Sequence, residues 1–254
     1  MYVRKLTVLP AVASCNNELK LRGLLDHLQD TASLAVAELE GSPMQMLERG
    51  YSWVLLRYEM ELLRRLPALD EPFVVRTYHD VNHGYRTLRV FQVETPAGDP
   101  LVWAKTSWLL IDLAAGRPVR PSAHLPEFLL RDSEPIDPDF RDIPSPDASG
   151  GEVHEAVYPV RFHDLDGNGH VNHAVYFEWV FEATPIDLMA YSPRALSASF
   201  RASARWGESP TVRSREIGAP GPDGTRTFAY EIVGDRESDR PLTAFSCTWE
   251  PYRS

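Results

Sequence analysis

The sequence predicts an α+β protein in which one strand–helix–strands unit occurs twice. Three observations carry this: two long apolar segments with helical character, a run of short strands after each, and a polar, proline-rich break between the halves.

In the first half, residues 1–130, Tyr2 to Val8 reads as a strand and Leu19 to Leu39 as a helix. Strand-like runs follow at 52–63, 73–81, 85–94 and 101–112, rich in β-branched and aromatic residues. Turn signals such as Pro96-Ala97-Gly98-Asp99 separate them. Residues 131–152, RDSEPIDPDFRDIPSPDASGGE, are dense in Pro, Asp and Ser and read as a linker. The second half, 153–254, repeats the order: a strand from Val157 to Phe162, a helix from about Asn172 to Ala190, then strands at 196–205, 211–217, 225–233 and 242–250.

Register supports the repeat. DHLQDTA (Asp26 to Ala32) matches EWVFEAT (Glu178 to Thr184) at an offset of 152, with Asp30 opposite Glu182. Arg86-Thr87-Leu88 matches Arg226-Thr227-Phe228 at 140, and Thr106-Ser107-Trp108 matches Cys247-Thr248-Trp249 at 141. An insertion between the two regions, Glu40 to Gly50, accounts for the difference.

The second helix is apolar on nearly every side through Val175, Tyr176, Phe177, Trp179, Val180 and Phe181, the pattern of a helix enclosed by protein. A sheet wrapped around a buried helix is the hotdog arrangement. One such unit leaves a sheet edge open, which a second copy covers. The expectation is a double hotdog: two antiparallel sheets, each around a long buried helix, packed as a pseudo-dimer within a monomer or a homodimer.

Composition narrows the function. With 26 basic and 36 acidic residues, the formal charge of −10 opposes nucleic-acid or anionic-membrane binding as a main role. No apolar run reaches the ~20 residues of a membrane span. Cys15 and Cys247 are too few for a disulfide framework, and the N-terminal stretch lacks a signal-type apolar region. The expected setting is cytoplasmic.

The densest polar cluster is His163-Asp164-Leu165-Asp166-Gly167-Asn168-Gly169-His170-Val171-Asn172-His173, placed where a helix begins and presents unpaired N–H groups. Capping explains one Asp or Asn in it but not so many polar groups. A calcium loop fits the first half, Asp164 to Gly169, yet Val175 stands where a bidentate Glu is required and a strand precedes it. A histidine-rich metal site lacks a second ligand cluster. Neither a metal nor a cofactor is expected.

The remaining reading is hydrolytic. Asp-Leu-Asp-x-Asn-x-His-Val-Asn-His, followed by Tyr176 and Glu182, resembles the active-site stretch of the acyl-ACP thioesterases. In the first half LLDHLQDTA, YSWVLLRYEMELLRRLP and VWAKTSWLLIDLAAGRPVR are similar to that family's pattern in order and spacing. The resemblance implies hydrolysis of fatty acyl-ACP to free acid and ACP, with acyl carrier protein as partner and Asp166, Asn168 and His170 as the catalytic set. An acyl-CoA thioesterase and a non-catalytic acyl-binding protein are the alternatives.

The family also carries a glutamate followed by a cysteine on the strand after the helix. Here that stretch is Phe200 to Arg205, with Ser203 in place of the acid and Glu208 nearby. A cysteine nucleophile is therefore not expected, and Cys247 reads as a packed small hydrophobe. The matching first-half positions are Ser14, Asn16 and Glu18, so one active centre per chain is expected.

Backbone N–H groups of Val171 and Asn172, at the helix start, are candidate donors to a developing oxyanion. Glu178 and Glu182 share a face of the helix and require partners, Arg161 or Arg194. Docking of an acidic carrier requires a basic face, for which Arg64, Arg65, Arg76, Arg86 and Arg89 are candidates.

Overall fold

The computed structural model describes residues 1–130, 134–148, 151–235 and 241–252. The chain divides into two compact units, Met1–Phe140 and Arg141–Ser254.

The first unit contains strands β1 (Tyr2–Thr7), β2 (Tyr51–Leu62), β3 (Pro72–His83), β4 (Arg86–Glu94), β5 (Pro100–Asp112) and β6 (Arg117–Val119). Its helices are α1 (Leu21–Ala37), α2 (Pro43–Glu48) and α3 (Pro121–His124). The strands pair antiparallel in the order β1-β3-β4-β5-β2, with β6 on the end of β5. Helix α1 lies against β1 and β3 and buries Leu24, Leu25 and Leu28 on one face. Each such side chain contributes about 1.5–3 kcal/mol relative to exposure.

The Glu40 to Gly50 insertion folds into α2, started by a reciprocal capping box between Ser42 and Gln45. Met46 of α2 joins Leu110, Val119, Leu125 and Leu129 in a separate apolar cluster.

The second unit contains β7 (His154–Val157), α4 (His173–Glu182), β8 (Tyr191–Phe200), β9 (Thr211–Glu216), β10 (Arg226–Val233) and β11 (Thr243–Pro251). Its antiparallel order is β7-β9-β10-β11-β8. The two orders correspond strand for strand, and Arg86 and Arg226 each open the fourth strand of their unit. The tandem hotdog expectation is met.

Besides the strand expected at 196–205, which runs earlier as β8 (Tyr191–Phe200), three elements depart from the sequence reading. Helix α4 stops at Glu182 instead of running to Ala190, because Pro185 cannot continue it and the Thr184 hydroxyl bonds the Val180 carbonyl and the Tyr230 hydroxyl. The strand expected at Val157 to Phe162 lies earlier, at His154–Val157, since Pro159 has no N–H for a ladder. Tyr158 and Val160 still donate to the Pro210 and Glu208 carbonyls at 2.9 Å.

The third departure is the linker, whose described residues are more ordered than their composition suggests. Ile136 is buried against Leu88 and Val90 with Phe140 beside it, and its N–H donates to Asp80 at 3.1 Å. Lys105 Nζ lies 4.6 Å from the Phe140 ring and donates to the Asp137 and Asp139 carbonyls. Residues 134–140 thus form a strap across the sheet of the first unit.

Candidate active site

The segment between the short 3-10 turn Phe162–Asp164 and α4 is a tight hairpin. Leu165 and Val171 form its bridge, and Asp166 N–H donates to the His170 carbonyl at 2.8 Å. Gly169 takes φ 73°, where a side chain is disfavoured, and donates to the Asp166 carbonyl at 3.0 Å. Asp166 Oδ1 accepts from the N–H groups of Asn168 (2.8 Å) and His170 (3.3 Å). Asp166, Asn168 and His170 are therefore displayed from one short turn. Asp166 and His170 are half-buried and Asn168 is exposed. Among the described residues no protein group bonds Asp166 Oδ2 or the His170 ring.

The first unit builds the same hairpin 152 positions earlier. Ala13 and Leu19 form the bridge, Ser14 N–H donates to the Glu18 carbonyl (2.7 Å), and Asn17, at φ 59°, donates to the Ser14 carbonyl (3.0 Å). Ser14 Oγ accepts from Asn16 N–H (3.2 Å) and Glu18 N–H (3.4 Å). A serine hydroxyl thus does the bracing that Asp166 Oδ1 does in the second unit. Bracing requires one oxygen and no charge, so the second carboxylate oxygen of Asp166 is surplus to the fold.

The hairpin is anchored at its base. Val171 N–H donates to the Ala204 carbonyl at 3.0 Å, and Asn172 N–H to the Asp164 carbonyl at 2.8 Å. Leu19 and Lys20 make the equivalent bonds to Pro67 and Val12. This corrects the expectation for Val171 and Asn172: both N–H groups are already occupied and do not face an oxyanion. Asn172 instead caps α4, its side chain accepting from Ala174 N–H at 2.9 Å.

Asp164 is buried and clamps Arg161 through both oxygens, at 2.8 to 3.2 Å. The calcium reading loses its first ligand to this guanidinium. Arg161 is held above its ordinary range, first by the Asp164 hydrogen bond and charge, with further contributions from Glu178 and Glu182. The charges of Glu178 and Glu182 thus act on Arg161, which itself pairs with Asp164, whereas Arg194 pairs with Asp223 at 3.5 Å. Glu182 is exposed, so its charge carries no burial cost.

Tyr176 is a residue whose role the sequence did not show. It is 1% exposed, and its hydroxyl accepts from Ala204 N–H at 2.8 Å, so Ala204 is pinned both to α4 and to the hairpin. This hydroxyl is pushed up to about 12, chiefly by burial, with the Ala204 bond acting the other way and the charges of Glu208 and Asp166 adding to the rise. It is a neutral donor–acceptor at neutral pH. Glu208 therefore acts on the same hydroxyl as Asp166, while Ser203 is exposed. Cys247 is fully buried and its thiol is pushed up by burial, in keeping with a packed hydrophobe.

Most arginines expected to dock a carrier are engaged. Arg64 pairs with Asp99, Arg65 with Glu18 and Arg76 with Glu94, and Arg89 is buried and donates to Thr77. Two clefts of about 590 Å³ lie in the first unit, one beside Tyr85, Arg117 and Arg120 and one beside Asn16, Glu18 and Arg65. Neither is lined by the 163–173 segment.

Residues 1–125 match the acyl-ACP thioesterase N-terminal domain and residues 148–250 match the C-terminal domain. The chain belongs to the acyl-ACP thioesterase family. It is 26% identical over 183 residues to the chloroplastic acyl-(acyl-carrier-protein) hydrolase FATB2 of Cuphea viscosissima, covering 65% of this chain and 43% of that protein. A chloroplastic palmitoyl-acyl carrier protein thioesterase of Gossypium hirsutum is 24% identical over 191 residues, covering 70% and 46%. The chain thus spans less than half the length of these curated relatives. The fold matches an acyl-ACP thioesterase of Bacteroides thetaiotaomicron (TM-score 0.80, 22% identity, 98% and 97% covered). It also matches the 12:0-ACP thioesterase of Umbellularia californica (TM-score 0.82, 15% identity, 99% and 97% covered). No helix among the described residues is long and apolar enough to cross a membrane.

Proposed function

We propose that this chain hydrolyses fatty acyl-ACP thioesters to free fatty acid and ACP in cytoplasmic fatty acid biosynthesis, with Asp166, Asn168 and His170 as the catalytic set. The observation that carries the proposal is the duplicated hairpin. One copy is braced by a neutral serine, and the other carries a carboxylate, an amide and an imidazole beyond what bracing requires.

In this reading, water adds to the thioester carbonyl as its proton passes to the unbonded oxygen of Asp166. Asn168 and His170 orient that water; as the C–S bond breaks, His170 gives a proton to the departing thiolate and regains one from Asp166, a general acid–base contribution of roughly 10²–10⁴. Because the Val171 and Asn172 N–H groups are occupied, the oxyanion is met by side-chain donors of the same turn. Glu208, whose carboxylate accepts from the Arg205 N–H at 3.0 Å, is the acid of this chain that lies beyond the motif.

The experiment is release of free acid from acyl-ACP of several chain lengths by the purified chain. Turnover that disappears in Asp166→Ala and persists in Cys247→Ser supports the reading. Full turnover in Asp166→Ala would refute it.

A further inference from the structure

Phe162 and Trp206 are 62% and 63% exposed, and their rings meet edge to face at 5.1 Å on the surface of the second unit. Large aromatic side chains left this open are costly to hydrate and commonly mark a contact surface. Both are fixed to the catalytic hairpin. Phe162 begins the turn that ends at Asp164, whose carbonyl holds Asn172, and Trp206 follows Ala204, which is bonded to Val171 and Tyr176.

Along residues 201–207 Ala204 is buried and the other six positions are exposed, including Arg201 and Arg205. Neither guanidinium has a carboxylate partner among the described residues. Arg161, close by in sequence, is neutralised by Asp164.

The duplication gives an independent argument. By the hairpin offset Phe162 corresponds to Pro10, and by the shared anchor (Val171 to Ala204, Leu19 to Pro67) Trp206 corresponds to Leu69. The aromatic pair thus accompanies the hairpin that kept the catalytic residues and is absent beside the one that lost them. A purely structural pair would be expected beside either.

We propose that Phe162 and Trp206, with Arg201 and Arg205, form the surface on which the acidic carrier protein of the substrate docks; this rests on the hydrolase reading above. A chain of net charge −10 repels an acidic partner at long range, so association requires a local cationic spot, and two unpaired guanidinium groups provide it. The rings supply the apolar anchor that such interfaces place at their centre. A second copy of this chain is disfavoured as the occupant, since a two-fold contact through this surface opposes like charges.

The test compares three donors carrying one acyl chain: acyl-ACP, acyl-CoA and acyl-N-acetylcysteamine. Trp206→Ala and the double variant Arg201→Glu/Arg205→Glu, checked for unchanged melting, are expected to raise KM for acyl-ACP about tenfold or more with kcat preserved. Turnover of the other two donors stays within about twofold. Equal loss with acyl-CoA would show that the arginines read a phosphate, and unchanged KM for acyl-ACP would show that the surface is not used; either overturns the proposal. Dissociation of a wild-type dimer in Trp206→Ala, seen by sedimentation, would overturn it in favour of a second copy. If the wild type turned over none of the donors, the hydrolase reading would fail separately. Calorimetric titration with holo-ACP would then decide the surface, which stands if both variants weaken binding about tenfold and falls if they do not.

Discussion

At the scale of single residues, the site and its surroundings are governed by which polar atoms are bonded and which are left over. Asp166 braces its hairpin with one oxygen, the task Ser14 performs alone in the first unit, and in the proposed mechanism its other oxygen is the one that takes the proton. Asn172 was legible as a polar residue at a helix start but not as the cap, since a sequence does not show which oxygen meets which N–H. Its replacement by Ala should cost about 0.5–2 kcal/mol in urea unfolding. His27 offers a contrasting case: both ring nitrogens are buried without a hydrogen bond among the described residues, and the ring packs 5.8 Å from Phe73. Burial, then Arg4, lowers its value below 6.5, against smaller opposing contributions from Asp30 and Asp26. Below pH 6.5 the unfolded chain therefore takes up the proton more readily than the folded one, so stability falls as pH drops through that value. His27→Phe should flatten the fall in melting temperature below pH 6.5; an unchanged slope would remove His27 as its cause.

At the scale of elements, the hairpin, α4 and the segment after β8 form one hydrogen-bonded assembly through Ala204. Tyr176→Phe leaves the buried Ala204 N–H without its acceptor and should cost about 1–3 kcal/mol. Because Ala204 also holds Val171, hydrolysis should fall in the same variant with fold retained, measured as kcat/KM beside thermal melting. The elements were readable from the sequence where a period or a turn residue marked them: α1, the strands at Arg86 and Arg226, and the Pro-Ala-Gly-Asp turn. The misreadings have two causes. Val171 is decided by a partner distant in the chain, Ala204, which no local pattern announces, whereas the end of α4 and the strand before the hairpin are set by Pro185 and Pro159, local signals that outweigh the apolar pattern around them.

At the scale of the whole molecule, the strand order is repeated while the hairpin before each helix carries different side chains, Ser14, Asn16 and Glu18 in one unit and Asp166, Asn168 and His170 in the other. The matches at offsets 152, 140 and 141 anticipated the repeat, because paired strands keep their register even where their residues change. The strap at 134–140 was not anticipated: its apolar anchors, Ile136 and Phe140, are sparse within a stretch whose composition reads as a linker. Ile136→Ala should destabilise the chain by about 2–3 kcal/mol by opening a cavity over Leu88 and Val90. A loss within ±0.5 kcal/mol, the ordinary range of surface changes, would mean that the strap is not part of the core. The central claim, that the second copy of the hairpin adds chemistry to a fold the first copy already supports, is tested most directly by Asp166→Ser. That variant installs the brace found at Ser14, so melting should stay within about 2–4 °C of the parent, equivalent to about 1 kcal/mol, while acyl-ACP hydrolysis falls by about 10² or more. A folded Asp166→Ser protein that hydrolyses acyl-ACP at the parental rate would contradict it.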